Sequence, residues 1–133
     1  MNGRWIVGAA ILATWHGALL ASRAEVDGRL PDALHFTVCA IAGLVTGALA
    51  LRRGEPLGRS ILTGASLAIV PALFAAIQEW TAKPAVDLIL VPSGPRVAPL
   101  TFAIIFAFAL VPCAGGAAVG WSVARSQSAR RSS

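Results

Sequence analysis

Four long apolar runs, separated by short polar connections, decide what this chain can become. Residues 5–22, 33–51, 60–80 and 97–123 hold a single charged side chain between them, Glu79. Each is long enough to cross a hydrocarbon layer of about 30 Å at about 1.5 Å per residue. Such a layer offers no water to a free peptide group, so each run must satisfy its backbone internally and fold as a helix. The expected fold is all-α, an integral membrane bundle of four transmembrane helices. Residues 1–125 form its single domain, and a basic tail, residues 126–133, is expected to be disordered.

Composition agrees. Hydrophobic residues make up 56% and charged residues 13%, a balance that requires lipid rather than water as the solvent for most of the surface. The net charge of +5 does not point to nucleic acid, because the basic residues sit at the ends of the apolar runs and form no continuous face. They sort by side instead. Arg4, Arg52, Arg53, Arg59, Arg125, Arg130 and Arg131 fall on one side of the layer, and Arg23, Arg29, Lys83 and Arg96 on the other. The positive-inside bias therefore predicts that both termini and the connection around residue 55 are cytoplasmic. Trp5, Trp121 and Trp80 mark span ends as interfacial aromatics, whereas Trp15 lies deep. Membrane lipid is the partner this pattern demands.

The first run also resembles a secretory signal, with Ser22-Arg23-Ala24 as a small-x-small cleavage site before Glu25. Its length and its internal Trp15 and His16 favour a retained span. Within the spans, small residues recur at the spacing that lets helices approach closely. Ala9, Ala13, Gly17 and Ala21 share a face of the first run, Gly43 and Gly47 form a GxxxG in the second, and Gly116 and Gly120 form another in the fourth. These faces are expected to hold the bundle together; a second copy or another membrane protein would dock by the same chemistry. Pro71 and Pro112 fall inside spans and are expected to kink them.

Cys39 lies about six residues from the outer end of its span and Cys113 about sixteen, an offset of ~15 Å if the spans begin level. On that count the two thiols do not meet. The same count puts His16 roughly 6 Å deeper than His35, a poor arrangement for two axial ligands of one haem iron. A metal held by His35 and Cys39 at i and i+4 is the other arrangement the spacing permits. No cofactor and no metal are expected, and no catalytic residue is legible.

Asp32-Ala33-Leu34-His35-Phe36, opening the second span, resembles the acidic-x-x-His-Phe start of the second segment in VanZ-like membrane proteins. Gln78-Glu79, then Lys83 and Asp87, look like that family's Glu/Gln, basic residue and Asp before the last span. The pattern departs from the family in Lys83, where Arg is expected, in the shorter spacing from Lys83 to Asp87, and in the missing Asn after Asp87. The resemblance implies a polar cluster of Asp32, His35, Gln78, Glu79 and Asp87 at the outer membrane boundary. It further implies a protein of the bacterial inner membrane and cell envelope, with a role in glycopeptide antibiotic sensitivity. The alternative is an accessory subunit of a larger membrane complex with no site of its own. The proline- and glycine-rich stretch from Thr81 to Arg96 is expected to lie as an irregular segment over the outer mouth of the bundle.

Overall fold

The computed structural model describes residues 3–22, 32–81 and 94–132. They form α1 (Gly3–Ser22), α2 (Asp32–Arg52), α3 (Leu57–Ser66), α4 (Ile69–Thr81) and α5 (Ala98–Ser132). With α3 and α4 read as one interrupted segment, the bundle has four helical spans long and apolar enough to cross a membrane. Large apolar side chains such as Leu62, Phe108 and Val111 remain exposed around it. That is the surface a lipid solvent requires.

The third span is not one helix. Pro71 lacks the amide that would bond to the Leu67 carbonyl, and the chain answers one turn earlier with short bonds from Leu67 and Ala68 back to Gly64 and Ala65, and from Val70 to Leu67. These tighten the backbone and divide the span at Leu67 and Ala68, both fully buried. Pro112, by contrast, interrupts nothing, and α5 runs through it for 35 residues. The difference lies in packing: buried Ala109, Cys113 and Ala117 clamp α5 on both sides of Pro112, so one missing bond does not release the helix.

The core of the bundle is a contact between backbones. A β-carbon on Gly43 would overlap the Cys113 carbonyl oxygen, and one on Gly47 would overlap that of Ala117. Reciprocally, a β-carbon on Gly116 would strike the Ala40 carbonyl, and one on Gly120 that of Leu44. Partner numbers rise together along both helices, so α2 and α5 run parallel, as the second and fourth spans of an up-and-down bundle must. From the other side α3 closes on the same two residues of α5. Gly64 has no room for a β-carbon against Cys113 and Ala117, and the Ser60 hydroxyl donates to the Ala117 carbonyl at 3.4 Å. Ser60, Gly64 and Ala68 form a small-residue ridge at i, i+4 spacing, and Gly8 on α1 makes a comparably close approach to Thr46 and Leu67. Gly17 does not belong to this set. Nothing lies within 4 Å of where its β-carbon would stand, because α1 makes its close approach at Gly8.

One end of the bundle is tied by a polar knot. Arg4, whose side chain is fully buried, pairs with Glu55, whose side chain is 17% exposed, and donates to the Thr63 hydroxyl at 3.0 Å. The Trp121 indole donates to the Glu55 carbonyl at 2.8 Å, and the Trp5 indole to the Ser66 hydroxyl at 3.1 Å. Gly54, at φ 69°, supplies the left-handed turn that brings Glu55 back under α1. The start of α1, the α2 to α3 connection and the Trp121 region of α5 therefore share one end, joined by specific bonds. Arg4 is thus a buried structural cation rather than a free charge at the membrane surface. Beyond Trp121, α5 continues to Ser132, so residues 126–132 of the expected disordered tail are helical. Ser122, Ser126 and Ser128 bond their hydroxyls back to the preceding turn, and Arg130 and Arg131 lie where cations favour a helix C-terminus.

Candidate functional site

The opposite end of the bundle carries the histidines. Stacked rings join α1, α2 and α4: His16 lies over His35 with centroids 5.6 Å apart and planes 18° apart, and over Phe74 at 5.8 Å. Trp15 meets His35 edge-on at 6.4 Å. His16 is therefore level with His35 rather than below it, because the end of α1 and the start of α2 do not lie at a common height. Direct ring stacking leaves no space for a porphyrin between the two. Among the described residues no group of three or more His, Cys, Asp or Glu side chains has metal-binding geometry.

The cysteines differ from the count in the same way. Cys39 and Cys113 belong to one buried core cluster, with the Cys113 carbonyl against Gly43, one turn along α2 from Cys39, and both cysteines are free. The assumption of a shared starting level fails. Measured from the Cys39 and Cys113 contact, α5 starts about eight residues, or ~12 Å, farther out than α2, which brings Cys113 to the height of Cys39.

Between α2, α4 and α5 lies a cavity of about 370 Å³, within the range of small-ligand sites. His35, Cys39 and Gln78 are its polar wall, and Phe36, Pro71, Ile105 and Phe108 belong to its apolar wall. Phe36 and Phe108 meet edge-on at 6.4 Å beside it. Two further polar atoms in this region, Trp15 Nε1 and His16 Nε2, are buried with no hydrogen-bond partner among the described residues. The arrangement can hold a molecule with an apolar body and a hydrogen-bonding end.

Of the five residues in the expected outer cluster, the structure places His35 and Gln78 on this one cavity. Glu79 turns elsewhere: its carboxylate accepts from the Gly94 amide at 3.2 Å. Gly94, at φ 114°, makes the turn that leads into α5, so Glu79 ties the end of α4 to the start of α5. Asp32 opens α2, but its side chain lies outside the described residues, as do Lys83, Asp87 and most of the stretch from Thr81 to Arg96. Sequence reasoning missed His16 and Trp15 as neighbours of His35, and no periodicity within one helix could have paired them. No family model matches this chain, and comparison with curated proteins and with solved structures finds no match.

Proposed function

We propose that this is a small polytopic membrane protein that holds the polar end of an amphiphile in the cavity between α2, α4 and α5. The single observation that supports this reading is the convergence of His35 and Gln78 on one largely apolar cavity. An imidazole and an amide can between them donate to and accept from a headgroup without placing a net charge in the layer. On the arginine distribution, this end faces outward from the cytoplasm. With the VanZ-like resemblance of Asp32, His35 and Phe36, the proposed setting is the bacterial cell envelope and the proposed effect is on glycopeptide sensitivity.

The accessory-subunit alternative has no comparable support. The exposed Leu100, Phe108 and Val111 on α5 are what any lipid-facing helix carries.

The test is expression of the chain in a glycopeptide-susceptible bacterium, beside Ala75→Phe, which fills the cavity from its α4 wall. Wild type should shift susceptibility, and the variant, at equal membrane abundance, should not. An unchanged susceptibility with wild type would sink the envelope reading. Equal activity of Ala75→Phe would remove the cavity from it.

A further inference from the structure

A second groove lies at the other end of the bundle, between α2 and α5, with a volume of about 330 Å³. Leu44 and Ala48 on α2 and Val123 on α5 supply apolar lining, and Arg52, Gln127 and Arg131 line it one to two turns nearer the end of the bundle. From Leu44 to Arg52 it follows α2 for about 12 Å, a track for part of an acyl chain that ends on two guanidinium groups. We propose that this groove binds one anionic phospholipid, with its phosphate between Arg52 and Arg131 and a chain along Leu44, Ala48 and Val123.

Three features of the chain support the assignment. First, α5 outruns α2: their register sets Arg52 near the level of Gln127, so the last turn of α5 overhangs the groove. Helical side chains lean toward the N-terminus, which carries Arg131 back over the mouth. Second, among the described residues no ion pair to an acid involves Arg52 or Arg131. Glu55 is the acidic residue of this end, and it is committed to Arg4 on the α1 side. Third, the groove grades from apolar to cationic along the bundle axis, as a phospholipid grades from chain to phosphate. A soluble phosphate would use only the mouth. Guanidinium suits phosphate because its planar fork donates in pairs.

The measurement is lipid binding by the full chain, purified in mild detergent and stripped of lipid, followed by native mass spectrometry and thermal stability. Phosphatidylglycerol should bind and raise the melting temperature, whereas phosphatidylcholine and inorganic phosphate should do neither. Arg52→Gln with Arg131→Gln removes both guanidinium contacts to the phosphate and should weaken phosphatidylglycerol binding by roughly 100-fold. Arg53→Gln with Arg59→Gln removes the same charge from the same end outside the groove and should leave binding within a few fold. Val123→Phe, at an exposed position, narrows the apolar track and should weaken binding with all arginines present. Equal losses in the two arginine pairs would reduce the effect to general surface charge and overturn the site. So would equal binding of phosphatidylcholine, or stabilisation by inorganic phosphate alone.

Discussion

Glu55→Ala is expected to destabilise the bundle by about 3–5 kcal/mol, the usual cost of leaving one member of a buried ion pair without its counter-charge. In mild detergent this should lower the melting temperature by on the order of 10 °C. The Arg4 side chain is fully buried, and once Glu55 is gone its remaining bond is to the Thr63 hydroxyl. Arg4→Ala should cost less, because the carboxylate it abandons keeps partial access to solvent. The asymmetry separates a buried pair from a surface one, where both substitutions would be nearly neutral. Replacing both residues by leucine should recover much of the loss, since no unpaired charge then remains inside. A melting temperature unchanged by Glu55→Ala would show that Arg4 reaches water.

Gly47→Ala and Gly120→Ala are expected to separate α2 from α5, at a cost of ~3 kcal/mol or more each. That is the upper end of the range for overpacking, because the atoms in the way are backbone carbonyls that cannot rotate aside. The matched control is Gly17→Ala. Open space surrounds that position, so alanine should be neutral or stabilise by up to about 1 kcal/mol through its better helix propensity. Thermal melts of the three variants in one detergent check this directly. Equal melting temperatures would remove the close-packed parallel contact from the account.

The spans, the all-helical fold and the small-residue pairs of α2 and α5 could be read from the chain because each is a local pattern: an apolar length, or a spacing of four. What could not be read is how far each helix slides along its neighbour. Cys39 and Cys113, and likewise His16 and His35, were set apart by counting from span ends. The cysteines come level because α5 begins well outside α2, an offset fixed by which glycines find which carbonyls, and the histidines because α1 ends farther out than α2 begins. Arg4 reads in sequence as one more positive-inside charge, since nothing near it discloses an acid 51 positions later. Residues 126–132 read as a disordered tail because they are polar. Yet a helix already 28 residues long at Arg125 needs no new nucleus to extend. At the candidate site, His35 and Gln78 were legible as polar residues at span ends. Glu79 was legible too, but its choice of Gly94 over the cavity depends on where α5 begins.

The register of the parallel contact between α2 and α5 is reported by the two native cysteines. In membranes treated with a permeant thiol oxidant or a short bifunctional alkylating reagent, Cys39 and Cys113 should become linked within one chain. Intact-mass analysis should then show loss of two hydrogens or gain of one bridge, and Cys39→Ser should abolish either product. Two thiols that remain separately alkylatable after both treatments would place Cys39 and Cys113 at different heights, and would contradict the register on which the core, the cavity and the groove all depend.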